Sequence, residues 1–190
     1  MNYKQYKWFY TKSGKLVVGG KSAESNDSLL SELKATRKDY VVMHTKSPGS
    51  PFCAVIAPIN EVNASDIKEC AIFTGCFSKA WKQGLKKTNV DMFHLSQLNK
   101  TSGMKSGTWA VIGKIQTHIV ELELVLTIQE KVIRAVPKMT VKSSDVLVLP
   151  GKVDKAEAVK VIKMKEIKEL NKEQLLSALP AGGVTFNKNG

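Results

Sequence analysis

Residues 116–128 read Gln-Thr-His-Ile-Val-Glu-Leu-Glu-Leu-Val-Leu-Thr-Ile, and the class of fold turns on this stretch. Ile119, Glu121, Glu123, Val125 and Thr127 share one parity. Val120, Leu122, Leu124, Leu126 and Ile128 share the other. Successive strand side chains point to opposite faces, so this alternation predicts half-buried β-structure, running from Gln116 to Val136. Upstream, strands are expected at Lys7–Thr11 and Lys15–Gly20, around the turn Lys12-Ser13-Gly14. A helix capped by Ser22 follows from Ala23 to Ala35, with Leu29, Leu30 and Leu33 as its apolar stripe. Strands at Tyr40–His44 and Phe52–Ala57 flank a Ser/Pro/Gly loop. A second helix starts at the cap Asn63 and runs to about Gln83, and strands follow near Asp91–Leu95 and Thr108–Lys114. Past Pro137 come a strand at Val146–Leu149 and helices at about Lys155–Met164 and Lys172–Leu179. Asp154 with Glu157 and Asn171 with Gln174 read as their capping pairs. A short strand lies within Gly182–Gly190. Strands and helices do not alternate regularly. The expected class is α+β: a mixed, mainly antiparallel sheet with two main helices in residues 1–136, plus a small C-terminal β-α-α extension in 137–190.

The chain has 190 residues with 43% hydrophobic content, enough for one real core. Its net charge is +12. Such a surplus seeks polyanions: nucleic acid first, then an anionic membrane face or an acidic protein. Of 29 basic residues only Arg37 and Arg134 are arginine. The field is mostly lysine, which meets phosphates as a point charge and reads base edges less well than arginine. Cys53, Cys70 and Cys76 form no Cys-x-x-Cys pair, which argues against a disulfide framework and a zinc site. The polar, aromatic N-terminus is no signal peptide, and no apolar run reaches the roughly 20 residues of a membrane helix. A cytoplasmic protein without cofactor, metal or small-molecule substrate is expected.

Gly19-Gly20-Lys21-Ser22 sits between a strand and a helix, like a phosphate-binding loop. The nucleotide-hydrolase motif needs a glycine at position 15, which is Lys15. What survives is a helix start whose free amides, with Lys21, Ser22 and Asn26, could hold a backbone phosphate. The alternative there is a tight turn with a helix cap. His44, Lys46 and Ser50 lie on a rigid loop and offer groups that bind phosphate or ribose, where the plainer reading is a solvated turn. Lys79, Lys82, Lys86 and Lys87 end the second helix, where Lys79 is a candidate nucleic-acid contact and the plainer reading is a solvated helix end, with Trp81 read as core. Lys100 and Lys105 flank a Gly-bearing loop able to follow a phosphate backbone. The lysine-rich tail (Lys160, Lys163, Lys165, Lys168, Lys172) reads as a solvated face. His94 and His118 read as ordinary strand residues. No acid–base pair, triad or ligand cluster is present, so no enzymatic activity is expected.

Four segments in order resemble one family: Lys7-Trp8-Phe9 through Leu16–Asp27; His44 to Pro48-Gly49-Ser50; Ala71 to Ser78-Lys79-Ala80-Trp81; and Lys100 through Gly103 to Gly107. Together they are similar to the NFACT-R domain over about residues 6–116. Where that domain carries an aromatic residue after its histidine, this chain has Thr45 and Lys46. The resemblance implies RNA binding, to tRNA or rRNA and at the large ribosomal subunit, in ribosome quality control. Long members of the family also carry an N-terminal NFACT domain, a helix-hairpin-helix and a coiled coil. None of these is found here, so C-terminal tailing is not expected. The alternatives are an adaptor docking on acidic proteins of the translation machinery, and an accessory RNA-binding subunit of an RNA-modification system. On all the candidate residues together, the three loops at Gly20–Asn26, His44–Ser50 and Lys100–Lys105 are expected to meet on one face.

Overall fold

A computed structural model describes residues 1–142, 146–160 and 171–188. The chain opens with a hairpin, β1 (Lys7–Tyr10) and β2 (Leu16–Gly19), then α1 (Ala23–Ala35), β3 (Val41–Thr45) and β4 (Cys53–Ile56). Next come α2 (Ala64–Cys76), the single-turn α3 (Lys79–Lys82), the long β5 (Lys87–His94), a two-residue pair of β6 (Leu98–Asn99) and β7 (Ala110–Val111), and β8 (Gln116–Glu121). Strands β9 (Leu124–Gln129), β10 (Val132–Pro137) and β11 (Val146–Val153), helices α4 (Lys155–Val159) and α5 (Lys172–Ala178), and β12 (Val184–Lys188) complete it.

One sheet has the order β1-β2-β4-β3-β5-β8, and a second has β10-β9-β11-β12. Every pairing among the described strands is antiparallel. The α+β expectation holds. The first sheet is covered on both faces, which explains its Val-Val runs. Val17, Val41 and Val55 pack with Cys70, Phe73 and Cys76 of α2. Their neighbours Val18, Val42 and Ala54 pack with Leu29, Leu30 and Leu33 of α1. Both main helices begin at reciprocal caps. Ser22 Oγ accepts the Ser25 amide, and Asn63 Oδ1 accepts the amides of Ser65 and Asp66.

Two expectations need correction. The second helix does not run to Gln83. Ser78 Oγ donates to the Gly75 carbonyl and accepts the Ala80 amide, so the chain breaks there and restarts as α3. Thr108–Lys114 is not a full strand, because Gln97 Nε2 takes the carbonyls of Ile112 and Lys114 and leaves only Ala110–Val111 to pair. Asp66 and Glu69, in the first turns of α2, are fully buried. Asp66 accepts from the hydroxyls of Thr11 and Ser13, and Glu69 from the Lys12 amide and Thr140 Oγ1. They fasten the first hairpin to the helix.

The second sheet takes strands from both sides of residue 136: β11 pairs with β9 and β12. Trp81 is core, as expected, and its indole N–H donates to the Gly183 carbonyl at 3.1 Å. Asp154 caps α4 and Asn171 caps α5. The expected end of α4 at Met164, with Lys163, Lys165 and Lys168 of the tail, lies outside the described residues, as does the end of the chain beyond residue 188.

Candidate nucleic-acid interface

The α1 start, the loop between β3 and β4, and the end of the loop between β6 and β7 line one groove of about 540 Å³. Lys21, Ser22, Asn26, His44, Lys46 and Ser50 all reach it. Lys79, Lys100 and Lys105 do not line it, although Lys79 and Lys100 hold the walls that do.

The helix start is closed on itself. Ser25 Oγ accepts the amides of both Lys21 and Ser22, and Ser22 Oγ accepts that of Ser25. Those amides are not free for an anion, so attraction at this corner comes from the exposed Lys21 ammonium. Asn26 is buried, and its Oδ1 accepts the Phe52 amide at 2.9 Å, fixing α1 to the start of β4.

The second loop is braced from within. The Thr45 amide donates to Ser50 Oγ at 2.9 Å, and Thr45 Oγ1 donates to the Ser47 carbonyl at 2.6 Å. Gly49, at φ 106°, accepts the Lys79 amide and lets the Lys79 side chain lie across it. A Cβ there would sit 2.5 Å from Lys79 Cδ. Lys79 therefore stands behind the loop as support, with its ammonium outward.

His44 is half-buried against Phe52, ring centroids 4.5 Å apart. Burial lowers its pKa, against weaker upward pulls from the Thr45 carbonyl, Asp91 and Ser50. Its Nδ1 lies 2.7 Å from the Thr45 carbonyl oxygen, which can only accept. Nδ1 therefore carries the proton, and Nε2 of the neutral ring is an acceptor. A hydroxyl or base N–H suits it better than a phosphate does.

The third loop folds round one carboxylate. Asp27 accepts Lys100 Nζ on both oxygens at 2.7 and 2.8 Å, the Gly107 amide at 3.0 Å, the Trp109 indole N–H at 2.8 Å and Ser106 Oγ at 3.1 Å. Burial opposes its charge, but these donors outweigh that and bring its pKa down to about 2. The Lys100 charge is thereby engaged within the protein, which makes it a brace for the loop. Lys105 stays exposed beyond the rim. Gly107 (φ 75°) lies so close to α1 that a Cβ would meet that of Ala23 at 2.8 Å, which joins the third loop to the first.

Several groups here were not singled out in the sequence. Trp109 and Phe77 line the groove and offer aromatic surface. Lys7, from β1, lines it too, half-buried with its ammonium 4.4 Å from the Phe77 centroid. Burial first, then Lys21, Lys155 and Arg134, pushes its pKa down to about 8, against a weaker upward pull from Cys53. Arg134 of β10 lies 3.9 Å over the Trp8 ring, and its buried Nε has no hydrogen-bond partner. A cation–π contact is worth about 2 kcal/mol or somewhat more when desolvated, whereas burying an ion costs several. These contacts alone do not explain two cations held there. Lone basic residues in β-strands carry no local sequence signal.

A family model described as the NFACT protein RNA binding domain matches residues 5–113. The chain belongs to this family. It is 32% identical over 204 aligned positions to a protein of Methanocaldococcus jannaschii named archaeal Rqc2 homolog aRqcH. That alignment covers 98% of this chain and 29% of the relative, so the chain spans less than a third of that protein. The C-terminal part of the fibronectin/fibrinogen-binding protein of Streptococcus suis has the same fold. Its TM-score is 0.53 at 22% identity, covering 60% of this chain and 44% of that one. Among the described residues no helix is long and apolar enough to cross a membrane, and all three cysteines are buried and free.

Proposed function

We propose that this chain is a non-enzymatic, cytoplasmic RNA-binding module that engages tRNA or rRNA on the translation machinery, in ribosome-associated quality control. The observation that carries the reading is the groove. Lys7, Lys21 and Lys46 reach it without a carboxylate partner among the described residues, next to the aromatic faces of Phe77 and Trp109 and a neutral His44. Ammonium groups track phosphates, aromatic faces accept stacked bases, and an imidazole acceptor takes a ribose 2′-hydroxyl. Membership of an RNA-binding family supports this, and the relative's description as an Rqc2 homolog supports the link to quality control.

An adaptor for acidic proteins is the second reading, favoured by the exposed Ile112 and Ile119 at and near the edge strand β8. Anisotropy titrations of a labelled tRNA transcript at several salt concentrations separate the two. RNA binding through the three groove lysines predicts a log–log slope of about −2 to −2.7, each phosphate contact adding ~0.7–0.9. A flat dependence, or no binding at low salt, would leave the adaptor.

A further inference from the structure

We infer that a second cavity, walled by Lys7, Lys21 and Arg134, receives one phosphate group of the bound strand and so extends the RNA path from the groove to the C-terminal α5. The inference rests on the RNA-binding reading of the groove. The cavity measures about 130 Å³ and shares Lys7, Lys21 and Phe77 with the groove, so the two adjoin across these side chains. Four cations line it and no carboxylate does. Of these, Lys4 is paired with Glu130 at 3.1 Å, while Lys7, Lys21 and Arg134 have no ion-pair partner among the described residues.

The Glu130 carboxylate acts on Arg134 through space without pairing with it. Its oxygens already accept from Tyr3, Tyr10 and Lys4. Arg134 Nε is buried and unpartnered, while Trp8 fixes the plane of the guanidinium. A planar fork in one cavity with two ammonium groups suits a tetrahedral oxyanion with several acceptor oxygens. Like charges gathered away from water repel one another in the free protein, and an anion placed between them removes that repulsion. The far wall is Ser177 and Ala178 of α5. A phosphate here would draw the C-terminal extension into the interface.

The test uses the full chain, a labelled tRNA transcript and two variants, Lys7→Met and Arg134→Lys. Lys7→Met removes the ammonium and keeps an apolar stem against Phe77. Arg134→Lys keeps a cation over Trp8 but loses the fork. Each is expected to weaken RNA binding about tenfold, and Lys7→Met to make the salt slope shallower by about one contact. Its thermal midpoint should stay the same or rise. Wild-type affinity in Arg134→Lys, whose position lines the second cavity and not the groove, would overturn the inference and leave the groove reading, which Lys21 and Lys46 carry, intact; if that variant does not fold, the phosphate titration of wild type decides. A second arm titrates inorganic phosphate into wild type and follows the Lys7 amine by NMR. An upward shift of its titration that Arg134→Lys lacks is the expected result, and no response would count against the site. A wild type that binds phosphate but no RNA would overturn the RNA reading and, with it, the strand as the source of the phosphate.

Discussion

Two lysines that look alike in the sequence behave as opposites. Lys21 is exposed and unpaired, while Lys100 is three-quarters covered and bonded to Asp27. Lys100→Ala should lower stability by about 1–3 kcal/mol in chemical denaturation, because it leaves a partly buried carboxylate short of its main partner. Lys21→Ala should change stability by less than about 0.5 kcal/mol and weaken RNA binding by roughly 1 kcal/mol, evenly across sequences. The Asp27 clamp also sets an acid limit. Its folded pKa, about 2, lies below the ordinary aspartate value of 3.8, so its stabilisation is complete above pH 4 and is lost as pH falls towards 2. An Asp27→Asn comparison in acid denaturation isolates it. For His44, replacement by phenylalanine keeps the ring on Phe52 and removes the acceptor. Affinity for RNA should fall by roughly 1 kcal/mol while affinity for DNA of the same sequence stays put. Residue types were legible in the sequence. Their partners were not, since Asp27 and Lys100 lie far apart in the chain and meet only through the fold.

Among the elements, the caps were the most legible part, because a cap is local: Ser22, Asn63, Asp154 and Asn171 each accept an amide of the helix that follows, although Asp154 takes that of Ala156 and not of its expected partner Glu157. The turn between β9 and β10 was not. Gln129 pairs with Val132, which leaves Glu130 and Lys131 as a two-residue turn with φ of 48° and 62°. That geometry favours Asn-Gly, so a Glu-Lys pair inside an alternating run gives no warning. Lys131→Gly should relieve the positive-φ cost and raise stability by about 0.5–1 kcal/mol in denaturant titrations. Glu130 should be kept, because it holds Tyr3, Tyr10 and Lys4. The converse applies at Gly107: alanine there meets Ala23 and a positive φ together, and should destabilise by about 1–3 kcal/mol and spoil the groove.

For the molecule as a whole, the alternating run at 116–128 correctly announced a β-rich second half. It could not reveal that the run crosses from one sheet to another at Leu122-Glu123, since parity carries through the junction: Val120, Leu122, Leu124 and Leu126 are all buried. Fragment 1–136 would lose β11 from the side of β9 and the Gly183 acceptor from Trp81. We expect it to melt broadly and at lower temperature than the full chain by calorimetry. Lys7 couples the whole molecule to solvent protons. Its burial, then its neighbours Lys21, Lys155 and Arg134, outweigh the upward pull of Cys53 and leave its amine titrating near 8 instead of the usual 10.5. The unfolded chain then holds more protons than the folded one between pH 8 and 10.5, so folding grows more favourable as pH rises through that window. A bound phosphate acts the other way and draws the proton back. Docking should therefore be an act of proton uptake, seen in calorimetry as a binding heat that changes with the ionisation enthalpy of the buffer at pH 8 and loses that dependence in Lys7→Met.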